Sequence, residues 1–107
     1  MRQAGVLAAA GLYALERNIE RLAEDHRRAA AFRAGLAAIP GIRLVRPGTT
    51  NLVYFEVDDA FRFTAALADR NVFCLPEGAR LMRAAFHLHL TDEDVTAALA
   101  ACAAAAR

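Results

Sequence analysis

The stretch from Arg80 to Leu90, Arg-Leu-Met-Arg-Ala-Ala-Phe-His-Leu-His-Leu, constrains this chain more than any other. Apolar and polar residues alternate in it with period two, which reads as a strand. Phe86, Leu88 and Leu90 fall on one side, with Ala84 at the start of that row. Arg83, His87 and His89 fall on the other, with Ala85 between them. A helix would scatter both sets around its axis. One side is therefore expected to be core. The other carries a permanent cation and two imidazoles, which on residue chemistry alone makes an anion-binding face.

Such a strand needs sheet partners and a layer of helices over its apolar side. From Arg2 to Ala38 the spacing predicts one long helix, with Leu15, Ile19, Leu22, His26, Ala29 and Leu36 on one face. Arg21 with Asp25, and Glu24 with Arg28, make i,i+4 pairs worth about 0.2–0.5 kcal/mol each. Its first turns, Ala8, Ala9, Ala10, Gly11 and Ala14, form a small-residue surface. That surface suits close packing on a partner or another domain, although it also reads simply as an alanine-rich helix. Pro40-Gly41 ends the helix.

Ile42 to Val45 reads as a short strand and Pro47-Gly48 as a turn. Asn51 to Val57 is the clearest strand, with Val53, Phe55 and Val57 in one row and Leu52, Tyr54 and Glu56 in the other. Asp58 or Asp59 caps a helix running to about Arg70, with Phe63 and Leu67 stacked on it, and Asn71 suits a left-handed terminator. Val72 to Leu75 reads as a third strand, turned by Pro76-Glu77-Gly78. Thr91 is the N-cap of a last helix with three acids in its first turn and Val95, Leu99 and Cys102 on its buried side.

The expected fold is α+β, a single domain over residues 1–107 in the order α-β-β-α-β-β-α. It has a long N-terminal helix and a small three- to four-stranded antiparallel sheet with helices on one face. A right-handed crossover from the second strand to the third leaves a gap. The fourth strand fills that gap, antiparallel to both, and so becomes central. Arg83 then shares a face with Tyr54 and Glu56. That face is too mixed for a core and too aromatic for an indifferent surface, so it is expected to be covered.

Composition excludes several chemistries. All 13 Lys+Arg residues are arginine, so no side chain can form a Schiff base. A formal charge of +1, with basic residues interleaved with acids, gives no footprint for nucleic acid. No apolar run is long enough for a bilayer, and the opening lacks the logic of a secretory leader. Cys74 and Cys102 share no CxxC spacing and read as reduced core thiols of a cytoplasmic protein. There is no Ser/His/Asp or Cys/His motif and no glycine-rich phosphate loop. His87 and His89 form an HxH pair that could share a metal with Glu56 or His26; the other reading is hydrogen-bonded or solvated histidines at a domain interface. His26 is expected at the core edge.

The opening Met-Arg-Gln-Ala-Gly-Val-Leu-Ala-Ala-Ala-Gly-Leu-Tyr-Ala-Leu, Met1 to Leu15, resembles the start of the helix leaving the large domain in low-specificity L-threonine aldolases. These are members of the β-eliminating-lyase group of fold-type I pyridoxal-phosphate enzymes. Asn18 to His26 continues the match, Thr50 to Phe55 is similar to the family's Thr-Asn-hydrophobic strand, and Arg83-Ala-Ala-Phe-His87-Leu to its Arg-x-x-Thr-His-Leu strand. Two positions depart from the pattern: Phe86 stands where threonine is usual and His89 where an acid is usual.

The resemblance implies a C-terminal small domain that closes over a cofactor held by a large domain. That large domain carries the Schiff-base lysine and the ring-stacking histidine. It implies cleavage of a β-hydroxy-α-amino acid to glycine and an aldehyde. Arg83 matches the arginine implicated in gripping the substrate carboxylate, and Arg2, near the family's active site and subunit contact, is a second substrate-binding candidate. No catalytic, cofactor-binding or metal residue is expected on this chain. Pyridoxal phosphate is expected in the parent enzyme and not on this chain alone, which is expected to be inactive, whether it arises as a truncation, a misplaced start or half of a split enzyme. Self-association is expected, since the sheet face and the Ala8 to Ala14 surface would otherwise be bare. The alternative is a free-standing α+β binding or dimerisation module without catalysis.

Overall fold

Local turn chemistry divides the chain much as its sequence suggests. In the computed structural model, which describes residues 1–107, the elements are α1 (Ala4–Arg17), α2 (Leu22–Ala37), β1 (Arg43–Leu44), β2 (Leu52–Glu56), α3 (Ala60–Ala68), β3 (Leu75–Pro76), β4 (Leu81–Ala85) and α4 (Asp92–Ala105). Gly41 takes φ 87° after α2, and Asn71 takes φ 59° after α3. Both are left-handed conformations that glycine and asparagine adopt most readily. The Asp59 carboxylate accepts from the backbone N–H groups of Phe61 and Arg62 and so caps α3. Thr91 and Asp94 form a reciprocal capping box at the start of α4. Asp92 is also gripped there by Arg27 and Arg28 of α2, at 2.7 and 2.9 Å. These guanidiniums, Arg27 first, hold its carboxyl below the usual range.

The sheet order is β1-β2-β4-β3, antiparallel at every pairing. β4 lies between β2 and β3, in the gap that a right-handed crossover leaves, as expected. Val53 and Phe55 of β2 face Ala84 and Met82 of β4, and all four are buried. Phe32 and Leu36 of α2, Phe63 and Leu67 of α3, and Val95 and Cys102 of α4 close over them. Four phenylalanines link the layers. Phe32 meets Phe86 at 5.4 Å between ring centroids, and Phe55 meets Phe63 at 6.1 Å and Phe32 at 6.4 Å. The two edge-on pairs, Phe55 with Phe63 and with Phe32, add about 0.5–1.5 kcal/mol each beyond the area they bury.

The structure corrects three details. The N-terminal helix is two helices. Around Asn18–Arg21 the backbone bonds shorten to i→i−3, from Leu22 N–H to Ile19 and from Glu24 N–H to Arg21, which interrupts the α-helical ladder. Only α2 reaches the core, through Asp25, Ala29, Phe32 and Leu36, while α1 buries no residue. The expected stripe is therefore bare at its start: Leu15 is 64% exposed, Ile19 53% and Leu22 42%, a decline that follows the approach to the body. His26 is exposed rather than at the core edge. Asp25 takes the buried position beside it and receives Arg21 at 2.8 Å.

The second correction is that β4 stops at Ala85. Its partner β2 begins at Leu52, and the last cross-strand bonds run from Phe86 N–H to the Asn51 carbonyl and from the Asn51 side-chain amide to the Phe86 carbonyl, each 2.8 Å. On the other side of Asn51 the partner is no longer strand, so the chain after Phe86 turns, closed by Leu90 N–H to the His87 carbonyl at 3.0 Å. Leu88 is consequently exposed and not core. Third, the third strand is Leu75–Pro76, later than the expected Val72 to Leu75. α2 and α4 approach closely at Gly35, where a Cβ would lie 2.5 Å from Leu99 Cδ1.

Candidate functional site

The face of the sheet opposite the helices is built by the same alternation that builds the core. Tyr54 lies opposite Arg83, Leu52 opposite Ala85, and Glu56 opposite Leu81; on the other side of β4, Leu75 lies opposite Arg83. No helix covers this row, so Leu52, Tyr54, Glu56, Leu81 and Arg83 are all half-buried, held by strand neighbours but open above.

Arg83 is at the centre. Its Nη1 forms an ion pair with Glu77 Oε1 at 3.0 Å, and each side chain is a third exposed. Its Nε is sealed from solvent and has no hydrogen-bond partner. An unmade bond at a buried donor costs about 1–3 kcal/mol, so this atom is out of the ordinary. Around it, Arg43 of β1 pairs with Glu56, and the Arg46 guanidinium lies over the Tyr54 ring, 4.4 Å from its centroid. Arg46 has no carboxylate partner, so the face carries an unneutralised cation stacked on an aromatic. This arrangement can bind an anion, through Arg83 and with Arg46 nearby.

The other expected site residues are placed elsewhere. Arg2 lies in the exposed turn ahead of α1, and the structure does not bring it to Arg83. His87 and His89 are not on the strand face, because β4 has ended. They sit edge to face at 5.7 Å between ring centroids, with His89 N–H donating to His87 Nδ1 at 3.3 Å. They edge an open groove of about 540 Å³ that Phe73, Cys74 and Leu90 also line. No three His, Cys, Asp or Glu side chains converge as a metal cage. Burial pushes the Cys74 thiol up to about 11. Burial, with Cys74 adding to it, pushes the Cys102 thiol up to about 12, so neither is a thiolate nucleophile near neutrality. Two participants escape a sequence reading. Glu77 reads as a turn residue, and its contact with Arg83 follows only from the hairpin register. Arg46 reads as a loop cation, and its stacking depends on where the loop after β1 folds.

Comparison with known proteins gives a consistent picture. The family model described as beta-eliminating lyase matches residues 1–60. A probable low-specificity L-threonine aldolase 2 of Arabidopsis thaliana is 35% identical over 101 residues, which is 89% of this chain and 28% of that protein. The chain thus spans little more than a quarter of the length of that relative. Among solved structures, a cysteine desulfurase from Escherichia coli superimposes with a TM-score of 0.80 at 21% identity, over 92% of this chain and 29% of the other. A variant of the lyase C-DES, with glycine covalently linked to its PLP cofactor, gives 0.71 at 22% identity, over 94% and 28%. At these identities the structural matches speak to fold. No helix is long and apolar enough to cross a membrane.

Proposed function

Because the chain belongs to the beta-eliminating lyase family, we propose that it forms the small domain of a threonine-aldolase-like lyase, which cleaves β-hydroxy-α-amino acids to glycine and an aldehyde. The observation that carries this reading is Arg83, a guanidinium fixed at the centre of an open sheet face within a chain 35% identical to a low-specificity L-threonine aldolase. Its task is to grip the substrate carboxylate. Guanidinium and carboxylate match as two parallel hydrogen bonds, a geometry that lysine cannot reproduce. Leu52 and Tyr54 flank the grip with apolar surface. Once that surface is covered, the pair is removed from water and strengthened. Arg2 is a second candidate for the same substrate, brought in only if α1 is repositioned in the whole enzyme.

The cofactor implied by the family is pyridoxal phosphate. This chain's residues do not fit as its anchor, because there is no lysine to attach it. The anchor and the bond-breaking chemistry belong, on this reading, to a large domain over which this one closes. The test is to supply the large domain of a threonine aldolase in trans and measure glycine and acetaldehyde released from L-threonine. Activity that needs both polypeptides is expected. Two folded polypeptides that bind each other but show no gain over the large domain alone would overturn the proposal.

A second reading, a free-standing module that associates with itself, is favoured by one specific observation. α1 exposes Val6 at 71%, Leu7 at 63%, Leu12 and Tyr13 at 59% each and Leu15 at 64%. Monomeric proteins seldom leave so much contiguous apolar surface uncovered.

A further inference from the structure

A guanidinium offers a carboxylate two edges, the Nη1–Nη2 end and the Nε–Nη2 side. In Arg83 the side edge is closed, because Nε is sealed from solvent. The end edge remains, and Glu77 Oε1 already holds its Nη1 at 3.0 Å. Backbone register places Glu77 there. Leu75 lies opposite Arg83 and Pro76 opposite Met82, and Glu77 N–H continues the ladder to the Leu81 carbonyl at 2.8 Å. Glu77 is therefore diagonal to Arg83 on the same face, within reach of a long side chain. The other acid on that face, Glu56, is engaged by Arg43.

We infer that Glu77 is an internal substitute for the ligand carboxylate, holding the open end of Arg83 until an incoming carboxylate displaces it. This role rests on the reading of Arg83 as a carboxylate grip and adds a residue to it. The resting contact is a single ion-pair approach between part-exposed side chains with no aligned hydrogen bond, whereas an incoming carboxylate on the Nη1–Nη2 end makes two hydrogen bonds. The exchange favours a ligand that carries a full carboxylate and leaves neutral or singly hydrogen-bonding molecules unable to compete. Glu77 thereby lowers affinity in return for selectivity, and acts on the ligand through Arg83 as a positioning residue.

The test is an acetate titration of the chain, at ionic strength held constant with chloride, following by NMR the Arg83 guanidinium resonances, assigned by their loss in Arg83→Gln, and the backbone amides of β3 and β4, which report binding in every variant. Glu77→Gln and Glu77→Ala are each expected to bind acetate about threefold more tightly or better, the scale on which part-exposed ion pairs act. Glu93→Gln, the same change of charge on exposed α4, is expected to leave the affinity unchanged. Acetate binding that requires Arg83 but is unchanged or weakened in both Glu77 variants would overturn the substitution role and leave the grip standing. Absence of acetate binding in every variant, or binding indifferent to Arg83→Gln, would overturn both.

Discussion

The two faces of the sheet are made from the same two strands, one residue out of phase, and they obey different rules. On the helix side, Val53, Phe55, Met82 and Ala84 are at most 6% exposed and carry no charge. On the open side, Tyr54 and Arg83 sit half-covered among ion pairs and a stacked cation. The first face determines whether the chain folds; the second leaves interactions for something else to complete. The difference teaches that the alternation of β2 and β4 encodes both a core and a site, and that a one-residue register slip would exchange them.

The sharpest way to break the comparison is to truncate one residue on each side. Phe55→Ala removes a fully buried ring that touches Phe32 and Phe63, and is expected to cost about 3–5 kcal/mol. Tyr54→Ala, its neighbour on the open face, is expected to cost about 1 kcal/mol or less, mainly the stacked Arg46. Urea denaturation of the two variants checks this, and equal losses would mean that the open face is as structural as the core.

The next effect is functional. In the complete enzyme, Arg83→Ala is expected to lower kcat/KM for a β-hydroxy-amino acid about 100-fold or more, since a closed bidentate pair is worth about 3 kcal/mol. Stability should barely change. The lost ion pair is part-exposed, and the substitution also removes the unpartnered Nε. Arg83→Lys should restore only part of the rate. Arg80→Ala is the control: that residue makes an exposed pair with Asp58 at 3.2 Å and should be nearly silent in rate and stability. A damaging Arg80→Ala with a tolerated Arg83→Ala would reverse the assignment of the site.

The smallest effect is on association. Sedimentation at several concentrations is expected to show a dimer that dissociates on dilution, as the open face and α1 seek cover. A strict monomer at high concentration would mean that neither surface drives association, and would count against the module reading.

Much of this division is legible in the sequence because it is local. Period-two alternation separates Val53 and Phe55 from Tyr54, and Ala84 and Phe86 from Arg83. Thr91, Asp59 and Asn71 announce helix ends through chemistry contained within a few residues. What escapes is set at a distance. The alternation runs on through His87 and His89, but a strand lasts only as long as its partner, and the partner ends at Asn51. The apolar rhythm of the first helix crosses Asn18–Arg21 without a proline or glycine to mark the interruption, and rhythm alone cannot say which turns have a body to lie against. Phe32, at the middle of the core, falls on α2's buried line with Asp25, a line that starts after the interruption. The Glu77–Arg83 contact depends on hairpin register, which five residues of intervening sequence do not state.

One consequence of α1 concerns cooperativity. A 14-residue helix with no buried side chain draws its stability from propensity and local pairs such as Arg17 over the Tyr13 ring, and isolated helices shorter than about 12–15 residues are marginal in water. α1 should therefore melt as its own unit, ahead of the core, and its amides should exchange with solvent far faster than those of α2. A surface that receives α1 captures its helical fraction, and its apparent affinity falls by that fraction. Substitutions at Ala8, Ala9 or Gly11 that touch no contact would then retune assembly by changing how often the helix is formed.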